Sequence, residues 1–248
     1  MGYLFQDTNE IKSLTVSEAK ALVSGHNGRL LSLSGLPYCS KDVAEALAQH
    51  NEMLCLDGLS MLKPEVADAL ARHQGGLDLD GLTDLTTANA HSLARLPFLL
   101  SLNGLKQLSD EAAQALASHT KALYLDGLTS LTTVAAKFLA RHNGRILSLN
   151  GVLEISDDAA NYLSMHRGAL CLNRVTTLSG RAAEWLSRHR DAIELKGLKT
   201  LSPQAVAALR AWNWDVFWRS PMHMILVTLG VSPGPANPLI YMPERLRS

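Results

Sequence analysis

The sequence predicts an α/β solenoid, a curved parallel sheet on the concave side with helices on the convex side. Three observations carry that expectation. A pattern L-x-L-x-G-L-x-x-L-[ST]-x-x-A-A-x-x-L-A-x-H restarts at Leu31, Leu54, Leu77, Leu100, Leu123, Leu147, Leu170 and Ile193. The step is 23 residues, with one step of 24 where His142 to Arg145 adds a residue. Each copy carries two hydrophobic periods, a short alternation followed by a helical stripe.

The elements of one copy follow in order. In Leu123-Tyr124-Leu125 the leucines point to one side and Tyr124 to the other. Asp126-Gly127 supplies turn chemistry, as does Asn103-Gly104 one copy earlier. Thr132, Ser109 and Ser156 then open helices, because a hydroxyl satisfies free backbone N–H groups. Acidic residues follow in the first turn at Asp110-Glu111 and Asp157-Asp158, where the helix dipole favours them. Ala112, Ala113, Leu116 and Ala117 form a narrow apolar stripe that lets the helix lie close to the strand. No copy hides its leucines alone, so stacking must build the core. At a strand spacing of about 4.8 Å, eight strands give a sheet roughly 35–40 Å long.

The organisation expected is a half-repeat cap over residues 1–29, eight repeats over 30–213, and an aromatic cap with a Pro-rich tail over 214–248. Ile11 to Arg29 keeps the helical half of a repeat without its strand. At the other end, Trp212, Trp214, Phe217 and Trp218 suit the sealing of a last repeat, since such rings bury the most area per residue. Five of the nine prolines lie between Pro221 and Pro243, which predicts an irregular segment.

Bulk composition narrows the function. Lys plus Arg equals Asp plus Glu at 23 each, so the chain lacks the basic footprint of a nucleic-acid or anionic-membrane binder. Three scattered cysteines, Cys39, Cys55 and Cys171, make neither a disulfide framework nor a zinc site and suit a reducing compartment. The N-terminus has no basic segment leading into an apolar run, and "MHMILVTLGV" is about half a membrane span. The expectation is a cytoplasmic protein. Hydrolase, zinc-protease and P-loop signatures are missing, and no cofactor or metal is expected.

Three ladders are candidates for more than architecture. His26, His50, His73, His119, His142, His166 and His189 hold one position in seven units. With rings one repeat apart, several cannot reach one zinc at about 2 Å each, so a structural role near helix C-termini is expected over a metal or catalytic one. Asp57, Asp80, Asn103, Asp126, Asn150 and Asn173 precede the turn glycine or its equivalent. They suit bonding of their own turn backbone, with ligand contact as the alternative. Ser32, Cys55, Asp78, Ser101, Tyr124, Ser148, Cys171 and Glu194 stand between the core leucines, point outward and vary. They are the candidate partner-binding face, joined by Asp57, Asp80 and Asp126, which would make part of it acidic. One unit departs from the pattern. Leu96 replaces the histidine and Pro97-Phe98 follow, read either as a loop variant or as a local apolar patch.

From about Ile11 to Trp212 the chain resembles the leucine-rich repeat family, most of all its cysteine-containing subtype with a repeat of the form LxLxxCxxLTDxxLxxLxxxC. "LSLNGLKQLSDEAAQALASH", Leu100 to His119, carries the likeness from strand through helix start. Leu105 and His119 stand where that subtype has cysteines, the unit is about three residues shorter, and no F-box segment is found. The shortened, regular form is similar to bacterial leucine-rich repeat proteins. The resemblance implies a non-enzymatic scaffold that binds a protein along its concave sheet. The alternatives are a structural or surface-adhesion protein, or the recognition subunit of a larger enzyme complex.

Overall fold

A computed structural model describes residues 8–210, with only the backbone of Arg210 included. The aromatic cluster and the Pro-rich tail expected beyond Trp212 lie outside the described residues.

A 3-10 turn at Thr8–Glu10 leads to α1 (Val16–Gly25). Strand and helix then alternate: β1 (Leu30–Ser32), α2 (Lys41–Leu47), β2 (Met53–Cys55), α3 (Pro64–Leu70), β3 (Leu77–Asp78), α4 (Thr87–Leu93), β4 (Leu100–Ser101) and α5 (Asp110–Leu116). The series continues with β5 (Leu123–Tyr124), α6 (Thr133–Leu139), β6 (Ile146–Ser148), α7 (Asp157–Leu163), β7 (Ala169–Cys171), β8 (Thr177–Leu178), α8 (Gly180–Leu186), β9 (Ile193–Glu194), β10 (Thr200–Leu201) and α9 (Pro203–Arg210). The main sheet has eight parallel strands in the order β1-β2-β3-β4-β5-β6-β7-β9. Its register pairs Leu31 with Leu54, Leu54 with Leu77, and so on to Leu170 with Ile193. The α/β solenoid is therefore the fold.

Local chemistry explains the regularity. Ser40, Thr86, Ser109, Thr132, Ser156 and Ser179 each accept the backbone N–H three residues on, satisfying one of the free donors of a helix start. α3 is the exception: Lys63 offers no side-chain cap, and Pro64 at the first helical position lacks the N–H that would need one. In α5 the buried residues are Ala112, Ala113, Ala115 and Leu116. The expected stripe member Ala117 instead caps the helix end, its N–H bonded to Ala113 and Ala115 carbonyls. Successive helices pack side by side through these alanines, α4 on α5, α5 on α6 and α6 on α7.

The two aliphatic side chains that flank each outward residue are fully buried, and so is the one after the turn-glycine position in the first seven repeats, as in Leu100, Leu102 and Leu105. Each contributes about 1.5–3 kcal/mol relative to exposure. Helices pack at 8–10 Å and strands at about 4.8 Å, so a one-to-one stack bends with the sheet inside. A feature outside the sequence expectation is a second small sheet, β10 beside β8, just before the last two helices. No helix among the described residues is long and apolar enough to cross a membrane.

Candidate interaction surface

All eleven partner-binding candidates come to one face of the main sheet. Register places Ser32, Cys55, Asp78, Ser101, Tyr124, Ser148, Cys171 and Glu194 in one row. Strand alternation puts Asp57, Asp80 and Asp126 beside them in a second. Exposure divides the first row. Cys55 is 7% exposed, Ser148 is 1% exposed and Ser101 is buried as well, so the smaller side chains do not stand free. Ser32, Asp78, Tyr124, Cys171 and Glu194 are half-buried. The sequence treated the row as uniformly outward, but short side chains sink between larger neighbours and find partners there.

The second row is a hydrogen-bonded ladder between repeats. Asp57 Oδ1 accepts the Asp80 N–H at 3.0 Å, Asp80 Oδ1 accepts that of Asn103 at 2.7 Å, and Asn103 Oδ1 accepts that of Asp126 at 2.8 Å. Asp126 serves Asn150 at 2.9 Å, Asn150 serves Asn173 at 3.0 Å, and Asn173 serves Lys196 at 3.1 Å. Structure thus assigns these side chains to the next repeat's backbone, not to their own turn as expected. The physical need is the same, since a backbone N–H just past a two-residue strand has lost its ladder partner. The buried serines join in: Ser101 donates to Asp80 Oδ1 at 2.7 Å and Ser148 to Asp126 Oδ1 at 2.5 Å. Asn9 extends the ladder at the N-terminal end, where its Oδ1 accepts Ser32 Oγ at 2.5 Å.

Between β2 and β3 the face is acidic. Donor atoms of Cys55, Asp57 and Asp78 lie within 4.8 Å of one another. Cys55 Sγ donates to Asp57 Oδ2 at 3.0 Å and lies 3.2 Å from Ser34 Oγ, while Asp78 Oδ1 accepts the Asp80 N–H at 3.1 Å. Burial, with Asp57 and Asp80 beside it, pushes the Asp78 carboxyl up to about 8. Burial also pushes the Cys55 thiol up, and the Cys171 thiol to about 11. Both thiols are therefore protonated at neutral pH, the opposite of an activated nucleophile. The sequence pattern did not reveal this grouping, because Cys55 and Asp78 lie on different repeats. At the far end Glu194 is partly buried, yet bonds from Asn173 and Lys196 hold its carboxyl below the usual range.

The histidines form a separate column at the helix-to-strand corners. Ring centroids are 6.3 Å apart for His50–His73, 5.9 Å for His119–His142, 5.6 Å for His142–His166 and 6.3 Å for His166–His189. Some rings bond backbone carbonyls, at 2.8 Å for His73 Nε2 to Glu52 and 3.0 Å for His189 Nε2 to Gly168. Neither ring nitrogen of His142 or His166 has a well-formed bond. Burial and neighbouring rings push His142 down to about 3 and His166 to about 4. Leu96 takes the missing ring's slot and is 1% exposed, so it fills the column between His73 and His119. Phe98 two residues on is 46% exposed.

No protein-family model matches the chain, and no curated protein matches it.

Proposed function

We propose that this chain is a non-enzymatic recognition scaffold of the leucine-rich repeat kind, which binds a protein partner along its concave sheet face. The observation that carries this reading is the division of labour on each strand. The leucines hold the core, while Asp78, Tyr124 and Glu194 between them are half-buried on the other side and have no core to fill. A row of such side chains at one-repeat spacing offers multi-point contact over a broad surface, the binding mode solenoids favour. Tyr124 is the one large ring in the row, and tyrosine is enriched among the residues that dominate interface energy. The protonated thiols of Cys55 and Cys171, and a buried histidine column in which His73 and His189 bond backbone carbonyls, support recognition over catalysis. Three free cysteines support a reducing, cytoplasmic setting.

The test is a pull-down with the wild-type chain, with Tyr124→Ala and with Asp78→Lys, each checked for folding by circular dichroism. A protein held by the wild type and lost by both variants is the expected result. Retention of a protein indifferent to both changes overturns sheet-face binding and favours a spacer. Recovery of the protein outside the cell on fractionation overturns the compartment.

A further inference from the structure

We propose that the segment recognised by the sheet face is cationic, a stretch of extended chain that sets lysine or arginine side chains over Asp57, Asp78, Asp80 and Asp126 and apolar side chains beside them. This rests on the sheet face being the binding surface, and it adds the chemistry of the partner.

Charge segregation is the first support. The chain as a whole is neutral. The two rows of the face nevertheless hold Asp57, Asp78, Asp80, Asp126 and Glu194 against a single base, Lys196, which is bonded to Glu194 at 2.9 Å. None of the ion pairs among the described residues involves the four aspartates. The bases Lys41, Arg72, Arg95 and Arg188 instead pair with acids on the helical flank. Four carboxyl groups on one surface thus lack a basic counterpart, and a partner's cations would supply it.

A third row of side chains decides the pattern of that partner. Met53, Gly76, Leu99, Ala122 and Ile146 precede the outward row by two residues and share its side of the sheet. A Cβ on Gly76 would lie 2.6 Å from the Met53 sulfur and 3.7 Å from Leu99 Cβ, so Met53, Gly76 and Leu99 lie side by side as a contiguous apolar stretch of that row. A chain running along the solenoid turns alternate side chains left and right. One set would meet the acidic row and the other the apolar row.

Proton balance is the third support. The groups facing Asp78 are Cys55 on β2 and Asp57 just after it, Asp80 two residues on in its own repeat, and the uncharged Ser101 on β4. Without a cation, Asp78 relieves the crowding by holding a proton near neutral pH, its carboxyl being pushed up to about 8 by burial and these neighbours. An incoming ammonium group displaces that proton, so binding strengthens as pH rises towards 8.

The experiment uses the full chain and two labelled octapeptides, one alternating lysine with leucine and the other glutamate with leucine, titrated by fluorescence anisotropy at low salt. Two variants separate the face from general charge. Asp57→Asn with Asp78→Asn removes two face carboxyls and keeps the Oδ1 acceptors that serve Asp80. Glu65→Gln with Glu111→Gln removes two exposed carboxyls from the helical flank. Expected are binding of the lysine peptide about tenfold tighter than of the glutamate peptide, and loss of that preference in the face variant alone. Affinity should rise about tenfold from pH 6.5 to 8.5 in the wild type and stay level after Asp78→Asn. Equal binding of the two peptides, or equal weakening by the flank variant, overturns the proposal. If the peptides fail while a captured protein still depends on Tyr124, the cationic chemistry falls and sheet-face binding stands.

Discussion

A Cβ on Gly127 would lie 1.9 Å from the Asn103 carbonyl oxygen, and one on Gly81 would lie 1.8 Å from that of Asp57. At these two positions the turn glycine is dictated by the preceding repeat, whose backbone passes where a side chain would begin, whereas Arg174 holds the equivalent position in the seventh repeat. Gly127→Ala should cost about 1–3 kcal/mol, the usual range for forcing atoms into a packed site, read as a lower urea midpoint with unchanged slope. Asp78 works in the other direction. Its carboxyl is raised in the folded state, so its contribution to stability is complete below the ordinary carboxyl range and is lost as pH rises towards about 8. Asp78→Asn should therefore flatten the fall in thermal midpoint between pH 6.5 and 8, the part of that loss that lies above the histidine window. The gain should be about 1 kcal/mol at pH 8, well under the formal shift because water screens a half-exposed group. Under the cationic-partner proposal the same change should also weaken binding of the lysine peptide, so the more stable protein would be the poorer binder.

At the scale of the element, the histidine column sets the acid limit of the fold. His142 and His166 are held at about 3 and about 4 against an ordinary 6.5, so the unfolded chain takes up protons that the folded one refuses. Stability from these rings is complete above pH 6.5 and is lost as pH falls from there towards 3. Acid titration followed by far-ultraviolet circular dichroism should show unfolding inside that window. Leu96 shows that the slot accepts an aliphatic side chain. His142→Leu should change stability at pH 8 by less than about 1.5 kcal/mol and move the acid midpoint to lower pH. A column whose rings were held by charge would give the reverse, with instability appearing as pH rises.

At the scale of the whole molecule, the main contacts between elements of different repeats among the described residues run between neighbours, strand to strand and helix to helix. Stability should then spread as a one-dimensional chain of interfaces. Leu125 lies at the centre of the core and is fully buried. Leu125→Ala should cost about 2–5 kcal/mol and raise hydrogen exchange first in β4, β5 and β6, with β1 and β9 following later. Uniform loss of protection from end to end would show a single cooperative unit instead. The bend also acts at this scale: it brings the acidic and apolar rows of several repeats onto one inner surface.

The repeat, its alternating strand, its hydroxyl-capped helix and its leucine core were legible in the sequence, because each depends on side-chain periods that recur within one unit. So was the outward row from Ser32 to Glu194, since strand alternation fixes which side chain turns away from the leucines. What lay beyond reach are the links between units. The aspartate and asparagine side chains serve the next repeat's N–H groups, and Cys55 meets Asp78 across two strands. Cys55, Ser101 and Ser148 sink below the surface, and β8 pairs with β10. Each depends on distances between residues more than twenty positions apart, which a period read along the chain leaves open and only the stacked backbone settles.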